Sequence, residues 1–229
     1  MFDEDTINSG LGLFPSPDNL QKVNIVMVGD QGAGKTNMLV SYCNNDYPTE
    51  YKPTVHDYYT VRLGIDGRQT SVQLIDTAGK PEFGLFRRLS YPDAEVFLLC
   101  FDVCDPRAFA RVRDYWLMEL KVYKRKTPVI LVGTQIDRRS DFNEIARLSR
   151  QNLRPVTTQQ GQQMASKIRA KKYIECSALT KKNLKSVFDS AIVAGLDEQL
   201  KLQKRLHASS RLSFGSYIFS DSFLQRKLS

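Results

Sequence analysis

The sequence predicts a three-layer α/β domain: a mostly parallel, six-stranded sheet covered by helices on both faces. Three observations carry that prediction. Short apolar runs of strand length alternate with longer stretches of mixed polarity, the pattern of parallel strands joined by helical crossovers. A glycine-rich segment of the form GxxxxGK[ST] directly follows the first apolar run and directly precedes a helical stretch. An Asp66-Gly67 pair joins two strand-like runs and predicts a hairpin, which supplies the one antiparallel pair.

In chain order, the first strand is expected over 23–28 and a helix after Lys35, then paired strands over 58–65 and 69–75. Residues 96–101 are a continuous apolar hexapeptide and read as a buried strand. No apolar run is longer, so none approaches the roughly 18 residues a membrane-spanning helix needs. Further strands are expected over 129–132 and 173–175, and a final helix from Leu184 to about residue 200. Beyond it Ser, aromatic and basic residues mix without an apolar period. Three segments follow: a turn-rich extension over 1–21 with Pro15 and Pro17, a domain over 22–200, and a tail over 201–229.

Hydrophobic residues make up 41% of the 229 and charged residues 25%, which suits one packed domain and excludes a fibre or a disordered chain. The acidic start MFDEDTINSG lacks the basic and apolar regions of a secretory signal, so a cytoplasmic protein with free thiols is expected. Cys43, Cys100, Cys104 and Cys176 form no CxxC pair, and burial is the expected role of Cys100 and Cys176. Six Lys and Arg against one Asp over 201–229 account for five of the eight net positive charges. With no nucleic-acid-binding signature in the body, this basic, aromatic tail points to peripheral contact with anionic membrane rather than nucleic acid, a merely solvated tail being the alternative.

Gly29-Asp30-Gln31-Gly32-Ala33-Gly34-Lys35-Thr36 is the glycine-rich segment. Its glycines let backbone N–H groups wrap close to phosphates, and the following helix adds its positive dipole end. Lys35 is expected to reach the β- and γ-phosphates. Thr36 offers a hydroxyl to Mg²⁺, a hard cation that takes oxygen ligands. Thr134-Gln135-Ile136-Asp137 follows an apolar strand, and a ligand is expected at the carboxyl end of such a strand. Asp137 can accept hydrogen bonds from the ring N–H and the exocyclic amine of guanine, a donor pair adenine lacks. Ser177, Ala178 and Leu179, after the last strand, would close the base pocket, with the Ala178 N–H toward the guanine oxygen.

VGTQID, ECSALT, LSYPD and Tyr51-Lys52-Pro53-Thr54-Val55, in this order and spacing, make the chain resemble a small GTPase of the Rho/Rac family over residues 22–198. The stretch 138–155 resembles that family's helical insert, expected as a helix near 139–153. The resemblance implies the P-loop GTPase fold, GTP/GDP and Mg²⁺ as ligands, and a signalling switch acting on actin, polarity or membrane traffic. By similarity Thr54 binds Mg²⁺ and senses the γ-phosphate, and Asp76 contacts Mg²⁺ through water. Gly79 donates its N–H to the γ-phosphate, and Tyr47 covers the guanine edge. Tyr51, Val55, His56, Asp57 and Tyr59 fall in the effector loop, and effectors and exchange factors are the implied partners of a monomer.

The chain departs from the family where hydrolysis is performed. Lys80 follows Gly79, where the family has the glutamine that holds the attacking water. An amide both accepts and donates, whereas an ammonium only donates, so Lys80 cannot orient the nucleophile. Gln31 stands where the family usually has glycine and fills space that the glutamine and an incoming arginine finger need. His56 replaces an aromatic, and Leu85 and Arg88 also depart from the usual switch surface. The final QRKLS contains no Cys-a-a-X box, so no prenyl anchor is expected. A predominantly GTP-bound switch with strongly slowed hydrolysis is therefore expected; the alternatives are a normally cycling GTPase and a nucleotide-locked scaffold.

Overall fold

The computed structural model describes residues 21–45, 47–48, 56–65, 67–124 and 126–224, with side chains described as far as residue 206. Six strands form one sheet in the order β2-β3-β1-β4-β5-β6: β1 (Gln21–Val28), β2 (His56–Ile65), β3 (Arg68–Thr77), β4 (Val96–Asp102), β5 (Val129–Thr134) and β6 (Lys172–Glu175). Only β2 runs antiparallel, pairing with β3 from His56 opposite Thr77 to Ile65 opposite Arg68. Gly67, at φ 74°, takes the left-handed conformation in the turn between them. Both strands run farther toward the switch segments than the apolar pattern indicated, which brings Asp76 and Thr77 into the sheet.

Alternation within the strands splits the core in two. Ile25, Met27, Leu74, Leu98 and Val132 pack under α1 (Lys35–Asn44) and the last helix, with Met38, Leu39, Val187 and Phe188. Val26, Val28, Phe97, Leu99 and Leu131 pack on the opposite face with Trp116, Leu120 and Ile168. A central strand buried on both faces has no polar side, which is why residues 96–101 read as one apolar run.

On that second face α3 (Pro106–Arg111) continues through a π-helical turn, Val112–Trp116, into α4 (Leu117–Lys124). Asp105 caps α3 by accepting from the N–H groups of Arg107 and Ala108. Where a helix near 139–153 was expected, the chain forms a 3₁₀ turn, Ile136–Ser140, and the shorter α5 (Phe142–Ser149), capped by Asp141. A reciprocal Thr157–Gln160 capping box starts α6 (Thr158–Ile168). The short helix α2 (Gly84–Arg88) lies after β3.

The last helix, α7 (Leu184–Leu224), runs past residue 200, so the expected boundary between domain and tail falls inside it. Its packed face ends with Ala194 and the partly buried Leu196, whereas residues 201–206 are exposed. Apolar period reports packing. The continuation through Lys-Leu-Gln-Lys-Arg-Leu rests on intrinsic helix preference, which leaves no such period. Cys100, Cys104 and Cys176 are buried and Cys43 is partly buried, all as free thiols. Among the described residues no helix is long and apolar enough to cross a membrane.

Candidate nucleotide-binding cleft

The segment between β1 and α1 doubles back on glycines. Gly29, Gly32 and Gly34 have φ of 143°, 80° and 73°, and a Cβ at Gly29 would lie 2.1 Å from the Cys100 carbonyl oxygen on β4. That close approach requires glycine. Lys35, at the start of α1, is buried beneath the loop, and its Nζ donates to the carbonyls of Gly29 (2.8 Å) and Asp30 (3.0 Å). Burial lowers its pKa, with the Asp76 carboxylate opposing the shift. The Thr36 hydroxyl donates to Asp76 Oδ2 at 2.5 Å, and parallel pairing of β1 with β3 sets Asp76 beside Met27. A hydroxyl and a carboxylate so joined are hard oxygen donors of the kind Mg²⁺ takes.

A cleft opens above this loop, with Gln31, Gly32, Gly34, Lys35, Thr36 and Asn37 on one side and Thr77, Ala78, Gly79, Lys80 and Phe83 on the other. A Cβ added to Gly79 would meet Gln31 N at 2.2 Å and Asp30 C at 2.4 Å, so the chain after β3 lies directly on the loop backbone. The cleft joins a second hollow through Gly34, Asn37 and Gln135. Tyr47, Thr134, Asp137, Ala178 and Leu179 line that hollow, along with Met38, Arg138 and Cys176. The two hollows are thus continuous, one beside Lys35 and Lys80 and the other beside Asp137.

Backbone and side-chain bonds lock the second hollow in place. The buried Thr134 hydroxyl is shared between the carbonyls of Ala33 (2.8 Å) and Phe101 (3.0 Å), joining β5 to the glycine-rich loop. Gln135, left-handed at φ 59°, donates from Nε2 to Gly32 O at 2.9 Å and accepts from Arg138. Cys176 N–H donates to Gly133 O (2.8 Å), and Ile136 N–H donates to Cys176 O (3.3 Å). Ser177 is buried, and its Oγ accepts the Thr180 N–H at 3.0 Å, which shapes the 177–180 turn.

The wall after β3 is held differently. Arg87 is fully buried and donates from Nη1 to the Lys80 carbonyl (2.8 Å), from Nε and Nη2 to Glu119 (both 2.8 Å), and to Tyr115 OH (2.7 Å). Glu119 also accepts from Arg88 and from Tyr91 OH. Burial acts to raise the Glu119 pKa, but hydrogen bonds from Arg87 and Tyr91 outweigh it and hold the carboxyl below its ordinary range. The Arg87 guanidinium lies 4.8 Å from the Trp116 ring centre, and Trp116 Nε1 donates to Asp30 Oδ1 at 2.8 Å. Arg111 pairs with the same Asp30 oxygen at 3.2 Å.

Of the residues singled out in the sequence, Gln31, Gly32, Gly34, Lys35, Thr36, Gly79 and Lys80 line the first cleft, and Tyr47, Thr134, Asp137, Ala178 and Leu179 the second. Gln135 lines both, and Asp76 lies buried beneath. Gly29, Asp30 and Ala33 act through their carbonyls, and Ser177 through its turn. Thr54, Tyr51 and Val55 lie outside the described residues. At the start of β2, Asp57 is exposed and Tyr59 packs partly on the core. His56 is partly buried, its Nε2 2.5 Å from Ser90 Oγ, so it couples to the segment after α2 and is not simply presented outward. Asn37 was missed: Nδ2 donates to Tyr47 OH at 2.9 Å, and its place in the first turn of α1, directly after the glycine-rich loop, was the available signal. Phe83 and the Arg87–Glu119 pair carried no comparable pattern.

A protein-family model described as the Ras family matches residues 24–196. The Rho-related GTP-binding protein RhoV from Rattus norvegicus, Homo sapiens and Bos taurus is 44% identical over 187 residues, covering 81% of this chain and 79% of theirs. A match of that extent, on a sheet and cleft of this form, establishes that the chain belongs to the Ras family of small GTPases, in its Rho-related branch.

Proposed function

We propose that this chain is a guanine-nucleotide switch that dwells in its GTP-bound form because the γ-phosphate end of the cleft is not equipped for rapid hydrolysis. The carrying observation is Lys80 on the cleft wall beside Gly79, facing a loop that bears Gln31. In this reading Lys35 and the loop N–H groups hold the phosphates, and Asp137 reads the base against Ala178. Thr36 and Asp76 would hold Mg²⁺, with Thr54 completing the set. Mg²⁺ bound there supplies positive charge to the phosphate oxygens. Water attacking the γ-phosphate needs an acceptor to orient it, and an ammonium offers none. Gln31 crowds the side from which an arginine finger would enter, and such a finger is worth about 10³–10⁵ in rate. The presented surface begins with Tyr51, Val55, His56, Asp57 and Tyr59.

The test is a double reversion. Lys80→Gln combined with Gln31→Gly is expected to raise single-turnover phosphate release by about tenfold or more, intrinsic and activator-stimulated alike. Because both residues act on one transition state, a single reversion recovers less than its share. An unmodified chain that already hydrolyses GTP at the rate of the double variant defeats the reading in favour of an ordinarily cycling GTPase.

The basic tail gives this switch weak, salt-sensitive affinity for anionic membrane. Each basic residue near such a surface contributes about 1 kcal/mol, and aromatic residues favour the interface. Truncation after Leu200 is expected to abolish binding to phosphatidylserine vesicles at low salt. Equal binding by truncated and full chains would remove the tail from the account.

A further inference from the structure

We propose that Lys80 is the residue that selects for a terminal phosphate: its ammonium binds the γ-phosphate and sets a preference for GTP over GDP. This rests on the reading that the cleft holds a guanine nucleotide. It goes beyond slowed hydrolysis, because it assigns the lysine a positive role in binding.

Lys80 lines the cleft with Lys35, Thr36 and Gly79, yet among the described residues its ammonium makes no hydrogen bond or ion pair. Lys35 Nζ is already partly satisfied, donating to Gly29 O and Asp30 O. The carboxylate beneath them, Asp76, is engaged by the Thr36 hydroxyl. A partly buried cation without a protein counter-charge has lost some hydration and gains most from an anion brought to it.

The lysine also leaves the wall from a fixed point. Pro81 confines the preceding residue to extended backbone, and Lys80 is found at φ −73°, ψ 141°. Its carbonyl accepts from Arg87 Nη1 at 2.8 Å and from Phe83 N–H at 3.3 Å. Arg87 is in turn held by Glu119 and lies against Trp116, which bonds Asp30 of the glycine-rich loop. The base of the side chain is thereby tied to the loop that cradles phosphate. With Lys35 and the loop holding the phosphates in common, Lys80 on the Gly79 side of the cleft is the lining lysine that makes no hydrogen bond or ion pair among the described residues, and so the one whose contact would be added by a third phosphate.

The experiment is a competition titration of the full chain in Mg²⁺ buffer, with GDP against a non-hydrolysable GTP analogue so that turnover plays no part. A charge-assisted contact predicts that Lys80→Met lowers the triphosphate-to-diphosphate affinity ratio by about tenfold to a hundredfold. The loss should fall on the triphosphate alone, and Lys80→Arg should keep most of the ratio. The proposal is overturned if Lys80→Met leaves the ratio within about twofold of the unmodified chain. It is equally overturned if both affinities fall together, which is the mark of a structural defect. Failure of the unmodified chain to bind either nucleotide defeats the nucleotide-site reading itself, and this proposal with it.

Discussion

The two ends of the cleft are supported in different ways. At the end proposed to take guanine, the hollow around Asp137 is set by short-range bonds between backbone segments and small side chains: Thr134 to Ala33 and Phe101, Cys176 to Gly133, Ser177 to Thr180. At the phosphate end, the wall bearing Lys80 hangs on one buried ion pair, Arg87 with Glu119, backed by Tyr91, Tyr115 and Trp116. Bonds of the first kind are distributed, so no single side chain sets the geometry except the one that meets the ligand. Support of the second kind is concentrated, and losing one member leaves a buried charge uncompensated. Recognition of the base can therefore persist while the chemistry of the γ-phosphate end changes.

The largest effect is expected where the comparison has the fewest intermediaries. Under the proposed reading Asp137→Ala would remove two charge-assisted hydrogen bonds to the base, each worth about 2 kcal/mol, so GTP affinity is expected to fall by roughly a thousandfold. The preference over ATP should vanish with it, as read in a fluorescent-nucleotide titration. Hydrolysis per bound GTP at saturation should stay near that of the unmodified chain, because the phosphate end is held separately. A change in that rate comparable to the loss in affinity would break the comparison. The Lys80→Met titration examines the other end, where only the response to the third phosphate should move.

The sequence made the residues of the second hollow legible because each of its parts is a local pattern: a strand followed by Thr134 to Asp137, and a strand followed by Ser177 to Leu179. The glycine-rich loop was legible for the same reason, since glycine where φ is positive leaves a mark in one short segment. Arg87 left none. It follows a run of exposed apolar residues, reads as a surface cation on a short helix, and finds Glu119 only because the sheet brings α2 and α4 together. The π-helical turn that carries Tyr115 and Trp116 likewise left no pattern in the sequence. Residues 201–206 of α7 were missed for the opposite reason, because they have helix preference without the packing that makes a period visible.

The smaller effect tests the concentrated support itself. Glu119 accepts from both Arg87 nitrogens, from Arg88 and from Tyr91, and with 6% of its side chain exposed it has little water to replace them. Removing one partner of a buried pair outright costs about 3–5 kcal/mol, but Glu119→Gln keeps the shape and one acceptor, so a loss of about 2–3 kcal/mol at pH 7 is expected. Urea unfolding measures it. The charge fixes how the loss depends on pH. Because the folded-state pKa of Glu119 is depressed below the ordinary value of 4.5, its contribution is fully present above that value and lost as pH falls through the folded pKa. Glu144 and Glu175 are depressed as well, so the unmodified chain alone would not isolate one carboxylate. The difference between the unmodified chain and Glu119→Gln does isolate it, and that difference should shrink steadily below pH 4.5. In the variant, Arg87 loses its counter-charge and with it the grip on the Lys80 carbonyl, so the triphosphate preference should weaken while GDP affinity of the folded fraction is retained. A stability difference that stays constant down to the acid limit would mean that shape, and not charge, holds the wall. A parallel fall in GDP affinity would mean that the two ends of the cleft share their support after all.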